Sequence, residues 1–154
     1  MRNPPASVGR VPTMTPDQVE QRLQGAHVAI LSVSRSDRGP VAVPVWFEFA
    51  DGRFRIVTSP DTLHVRLVRR TERATITVHS ERYGDDDMLE WYVMAEGPAV
   101  FTEGDIEPLV GRTRRRYHGG PRIDEWLDRP IDATERVLVI EPQSLSGHES
   151  AVQL

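Results

Sequence analysis

From Val41 to Phe49 the chain alternates without a break. Val41, Val43, Val45, Phe47 and Phe49 fall on one side of an extended backbone, and Ala42, Pro44, Trp46 and Glu48 on the other. A period of two sustained over this stretch predicts a strand with one face in a core. Pro44 has no N–H to give to a ladder, so this strand is expected at an edge, at a bulge, or with a face open to a ligand. Ala50-Asp51-Gly52 is hairpin-turn chemistry, and Arg53–Thr58 reads as the return strand.

Other segments fit around that hairpin. Val28–Val33 is a short apolar run and Ala74–His79 is β-branched, so both read as strands. Trp91–Thr102 reads as a long strand or a pair, interrupted at Gly97-Pro98. Arg136–Glu141 is a last core strand, and Gln143–His148 is a candidate continuation of the sheet past Pro142. Helices are expected from a Thr15 cap to Gly25, from a Ser59 cap with Pro60 at its first position, over Asp105–Tyr117, and around Ile123–Leu127. In the second helix Leu63, Leu67 and Val68 form the expected buried stripe. Arg66, Arg69, Arg70 and Arg73 form a basic exposed face. In the third, Ile106, Leu109 and Val110 point inward. Glu81–Asp87 reads as a solvated loop. Short connections favour antiparallel pairing, so the fold class is mostly β with helices outside a small barrel. The 154 residues suit one domain, at 17–154, preceded by a flexible arm at 1–16 that is rich in proline.

Composition narrows the chemistry. With no cysteine, thiolate metal sites and cysteine nucleophiles are excluded. All 19 basic residues are arginine. This fits a coding bias, and it removes Schiff-base and Walker-type lysine chemistry. A net charge of −4 gives no global field for nucleic acid. No apolar run suits a membrane span or a signal peptide, so a cytoplasmic protein without membrane or nucleic-acid partners is expected. His27, His64, His79, His118 and His148 lack zinc-ligand spacing, and no metal site is expected. No nucleophile elbow is present. The run Arg112-Thr113-Arg114-Arg115-Arg116-Tyr117 reads as a solvated helix face, with an anionic cofactor tail or RNA as alternatives. Trp91, Tyr92 and Trp126 read as core or interface anchors.

In order and spacing, several segments resemble the pyridoxamine 5′-phosphate oxidase-like split β-barrel family, in its flavin- and deazaflavin-dependent oxidoreductase branch. They are Val28–Val33, Arg38-Gly39-Pro40, Val43-Pro44-Val45-Trp46-Phe47 and Arg53–Thr58. The likeness continues through Ser59-Pro60-Asp61-Thr62 and the helix to Arg73, then Glu96-Gly97-Pro98-Ala99 and Arg136–Pro142. The resemblance implies a split barrel (FMN-binding-like) of six to seven mainly antiparallel strands. It also implies a homodimer with cofactor sites at its interface, and an oxidoreductase acting on a small electron-poor substrate. Coenzyme F-420 is the first cofactor it suggests and FMN the second. A non-catalytic binding module, holding haem or a flavin without turnover, is the alternative.

By that resemblance the cofactor phosphate rests on Thr58, Ser59, Thr62, His64 and Arg66, with Pro44 and Trp46 bordering the ring. A helix N-terminus there would supply free N–H groups and a favourable dipole. The competing reading is that Ser59 simply caps and Asp61 already uses the dipole. The family commonly has lysine where this chain has His64, arginine at Leu63 and asparagine at Leu67. The tail Ser144–Leu154 lacks the basic substrate motif of true pyridoxamine-phosphate oxidases, which excludes that activity. No catalytic residue or proton donor is identifiable.

Overall fold

The computed structural model describes residues 13–80 and 89–151. The loop expected at Glu81–Asp87 lies outside the described residues. Four helices and eight strands follow in the order α1 (Pro16–Leu23), β1 (Ala29–Val33), β2 (Val41–Val45), β3 (Glu48–Ala50), β4 (Arg53–Thr58), α2 (Leu63–Thr71), β5 (Arg73–His79), β6 (Leu89–Thr102), α3 (Glu107–Tyr117), α4 (Ile123–Leu127), β7 (Arg136–Ile140) and β8 (Ser144–Ala151). The strands line up as β2-β1-β5-β6-β7-β4-β3, with β8 also on β6, and every pair is antiparallel. The count is eight rather than six or seven because the strand read over Val41–Phe49 is two strands, and β8 is a strand in its own right.

That division makes the barrel split. β2 pairs β1, while β3 pairs β4, on the other side of the structure. The chain crosses between the two sheets at Trp46-Phe47. Phe47 is fully buried at the crossing, with its ring 5.6 Å from that of Phe54. Pro44 sits opposite Ile30 on the edge strand β2, where its missing N–H costs no interior ladder bond. The β3–β4 turn has positive φ at Asp51 and Gly52, as a tight right-twisted hairpin requires.

β6 joins the two halves. One edge carries β5; the other carries β8 along its first part and β7 along its last. β7 and β8 run nearly in line on that edge, and Pro142 falls between them. Glu141 N–H donates to Pro98 O and Gln143 N–H to Glu96 O, so the ladder resumes on both sides of the proline. Gly97 faces this junction, where a Cβ would lie 2.0 Å from Glu141 O.

The barrel interior is filled from both sheets by Leu31, Phe54, Ile56, Ile76, Leu138 and Ile140. α2 packs on β1, β2, β5 and β6 and buries Val65, Leu67 and Val68. Leu63 is 45% exposed, so the expected stripe shifts. Thr15 and Gln18 close a capping box at α1. Met14 is buried and its N–H donates to Gly147 O, while Thr13 bridges to His148. Thr13 and Met14 thus contact β8 ahead of Pro16.

Candidate functional site

β4 ends at Thr58, and the next four residues do not yet form a helix. Ser59-Pro60-Asp61 turn the chain, and α2 is capped by Thr62, not by Ser59. The expectation that Ser59 caps and Pro60 opens the helix is corrected, and so is the placement of Asp61 in the first turn. Two consequences matter for anions. Thr62 makes no side-chain cap bond, and the first turn of α2 holds no acidic residue. The amides that start α2 keep the positive end of the helix dipole without an internal carboxylate to offset it.

Three of the expected site residues converge here. Thr58 Oγ1 lies 2.9 Å and Thr62 Oγ1 3.2 Å from His64 Nε2. Thr62 Oγ1 also donates to Ser59 O at 3.2 Å. Thr58 is buried at the strand end, Ser59 is exposed beyond it, and Arg66 stands exposed on the first turn of α2. Burial lowers the His64 pKa below the usual histidine value, so the imidazole is neutral at pH 7. The cluster is polar and donor-rich, and Arg66, whose backbone N–H donates to Thr62 O, follows it on the first turn of α2.

Trp46 belongs to a second group of side chains. It is 41% exposed, and one face of its ring stacks on Tyr117 with centroids 4.9 Å apart. His118 meets it edge-on at 4.8 Å, and His118 in turn stacks on Trp126 at 3.8 Å. Arg129 lies over the Trp126 ring at 3.9 Å. Tyr117 anchors the stack: its hydroxyl donates to His27 O at 2.7 Å and accepts from Phe47 N–H at 3.2 Å. Trp46, Val57, Val110, Thr113, Arg114, His118, Trp126 and Glu135 enclose a cavity of about 220 Å³. Val57 and Thr58 are consecutive on β4 and so face opposite sides of the sheet: Thr58 shares the inward face of Phe54 and Ile56, and Val57 lies on the side of the aromatic cavity. Pro44 is not part of the cavity wall; it lies on the outer face of the other sheet.

The basic run of α3 is largely committed inside the molecule. Arg112 Nε and Nη2 grip Glu48 at 2.5 and 3.0 Å. Arg114 donates to the carbonyls of Leu127, Arg129 and Pro130, just past α4. Arg116 donates to the carbonyls of Leu23 and Gly25, at the end of α1, and lies 5.1 Å over Phe47. The reading of this run as a solvated face holds for Arg112 and Arg115, which are exposed, and is corrected for Arg114 and Arg116, which tie α3 to the segment after α4 and to the end of α1. Replacing Arg114, Arg115 and Arg116 together by alanine should lower unfolding free energy by roughly 2 kcal/mol or more, because carbonyls lose charged donors. Urea denaturation measures this, and an unchanged midpoint would show that these contacts carry no stability.

Sequence reasoning did not select His118, Trp126 or Glu135 for a site. Trp126 stood out only as an aromatic anchor, and nothing in a linear chain links it to Trp46. Among the described residues no group of three or more His, Asp or Glu could hold a metal, and no helix is long and apolar enough to cross a membrane.

No protein-family model matches the chain, and no curated protein matches it in sequence. Solved structures do match in three dimensions. A FAD-binding protein from Mesorhizobium loti superposes with a TM-score of 0.66 at 17% identity, over 91% of this chain and 98% of that one. A candidate pyridoxamine 5′-phosphate oxidase from Corynebacterium glutamicum gives 0.63 at 15% identity, over 97% and 100%. The FAD binding protein from Mycobacterium smegmatis gives 0.65 at 11%, over 92% and 100%. The chain is thus a split β-barrel with flanking helices. Its particular fold is the one shared by pyridoxamine 5′-phosphate oxidase-like and flavin-binding proteins.

Proposed function

We propose that this split barrel binds a flavin-type cofactor, with coenzyme F-420 ahead of FMN, and serves hydride transfer to a small electron-poor substrate. The observation that carries the reading is the uncapped start of α2, where Thr58, Thr62 and His64 converge. The named FAD-binding neighbours support a flavin-type group. The residues present fit such a group: free N–H groups and hydroxyl donors suit a phosphate, and the exposed Trp46 face suits a planar ring.

In this reading the α2 amides, Thr58 and Thr62 hold the phosphate, Ser59 adds a hydroxyl, and Arg66 supplies charge. His64 orders the two threonine hydroxyls. Trp46, with its back against Tyr117, borders the ring; Pro44, on the outer face of the other sheet, has no part in it. When bound, the cofactor supplies the redox chemistry; the chain binds it, orients it and excludes water. A homodimer is part of the proposal. Tyr92 and Met94, at 42% and 45% exposed on β6, offer an apolar surface to a second copy.

Fluorescence titration of the purified protein with F-420 and with FMN tests the reading. Saturable micromolar binding of one or both is expected, weakened in Thr58→Val. The neutral His64 also gives a directional prediction. His64→Lys puts a permanent cation at the cluster and should tighten cofactor binding about tenfold, a gain of about 1.4 kcal/mol. An affinity unmoved by His64→Lys would place the phosphate elsewhere.

A further inference from the structure

Thr62 holds the N-cap position of α2, yet its hydroxyl is turned away from the helix. It donates to Ser59 O at 3.2 Å, and the same oxygen lies 3.2 Å from His64 Nε2. Threonine is a good capping residue. Its diversion here leaves the N–H groups of Leu63, His64 and Val65 without the side-chain partner that position ordinarily supplies.

Thr58 adds a second observation. It is buried at the end of β4, at 8% exposure, and its Oγ1 lies 2.9 Å from that same Nε2. Two hydroxyls meet one ring nitrogen, and the proton count decides how. A neutral imidazole carries one proton, on Nε2 or on Nδ1. If Nε2 were bare, its single lone pair would face two hydroxyl oxygens. Thr58 could donate to it, but Thr62, whose hydrogen goes to Ser59 O, would meet it lone pair to lone pair. With the proton on Nε2 both contacts become favourable. One N–H is shared between two acceptor oxygens, and Thr62 keeps its bond to Ser59 O. The Thr58 hydroxyl hydrogen is then left with no acceptor among the described residues. A buried donor left unmade is costly, and this one lies beside the open start of a helix.

We propose that His64 is a positioning residue fixed in the Nε2–H tautomer, and that the Thr58 hydroxyl it orients is the donor that meets an oxyanion, a phosphate or sulfate oxygen, at the start of α2. This rests on the cofactor reading and narrows it. Thr58 donates to the anion, while Thr62 donates only to Ser59 O and helps to hold His64. Apart from the bare Nδ1 of His64, the groups left free at the helix start are donors: the first amides of α2 and the Thr58 hydroxyl. No acidic side chain in the first turn competes for them. An oxyanion satisfies such a set, and a cation or an apolar group does not.

The test uses the cofactor-free full chain with isotope-labelled histidine, and inorganic sulfate as the probe. Sulfate does not titrate near neutral pH, so its charge stays fixed. Long-range proton–nitrogen NMR at about pH 7.5 is expected to show His64 with its proton on Nε2 and Nδ1 bare, before any anion is added. Sulfate, compared with chloride at matched ionic strength, should then shift the amide signals of Leu63, His64 and Val65 saturably. Thr58→Val should weaken sulfate binding by about fivefold or more, and Thr58→Ser should restore it. Thr62→Val should stay within about twofold of the wild type. His64→Gln puts an N–H that does not titrate near the place of Nε2 and should keep most of the affinity. His64→Leu should lose about fivefold or more, with its circular dichroism unchanged. A proton on Nδ1 overturns the proposal. So does a loss in Thr62→Val as large as in Thr58→Val, a His64→Gln protein as weak as His64→Leu, or the absence of a saturable sulfate shift at the α2 amides. The tautomer is read without F-420 or FMN. If it holds and neither cofactor binds, the cofactor reading falls alone; if a cofactor binds and the proton is on Nδ1, this proposal falls alone.

Discussion

Gly97→Val should lower stability by about 3 kcal/mol. The cause is local and backbone-centred. A Cβ at position 97 would lie 2.0 Å from Glu141 O and 2.9 Å from Gln143 N, in the junction where β7 passes to β8 along β6. No side chain can rotate away to relieve that contact, so either the ladder around Pro142 opens or β6 bends. Both outcomes loosen the strand that joins the two sheets. For a chain of this size the loss corresponds to a melting temperature lower by about 6–12 °C. Gly39→Ala is the control: its Cβ would meet nothing within 4 Å, and it should stay within about 0.5 kcal/mol of the wild type. Equal melting temperatures for the two variants would show that the junction is slack.

Phe47→Ala should cost about 3–5 kcal/mol. Phe47 is fully buried where the chain leaves one sheet for the other. Its ring touches Phe54 and lies beneath the Arg116 guanidinium, and its backbone N–H donates to the Tyr117 hydroxyl. The substitution empties a cavity under α3 and loosens the support behind Trp46. Two readouts follow from one change: a lower urea midpoint, and a shifted environment for the Trp46 ring. Phe47→Leu should recover most of the stability because it refills most of the volume. A Phe47→Ala protein as stable as the wild type would mean that the crossing is not packed as described.

These two positions also show what could be read in the chain. The alternation at Val41–Phe49 correctly gives the inward and outward residues on both sides of Phe47. It hides the crossing, because the period of two continues while the partner strand changes from β1 to β4. Side-chain alternation records which face is buried, not which neighbour supplies the hydrogen bonds. Gly97-Pro98 was visible as an interruption, yet β6 runs straight through it; the glycine serves close backbone approach, not a break. Ser59-Pro60-Asp61 carries every local signal of a helix start, and the helix still begins three residues later than those signals place it. The backbone spends those residues on a turn that brings His64 over Thr58.

The arginines of α3 teach a related point. Their charge is evident in the sequence, but their acceptors are backbone carbonyls of α1 and of the segment after α4, which leave no residue-type signature. The same holds for the aromatic pocket. Trp46, His118, Trp126 and Glu135 come from the β2–β3 crossing, the end of α3, α4 and the approach to β7. They meet where α3 and α4 pack together, in part through the Arg114 bonds to the end of α4 and the segment after it. The residues proposed for a phosphate are easier to select, since Thr58, Ser59, Thr62, His64 and Arg66 lie within one turn-and-helix segment.

The most direct test of the cofactor assignment is a paired fluorescence titration of F-420 and FMN into the wild-type protein and into His64→Lys. Saturable binding to the wild type, tightened about tenfold by the lysine, is the result the α2 phosphate site predicts. No binding of either cofactor to either protein would contradict it.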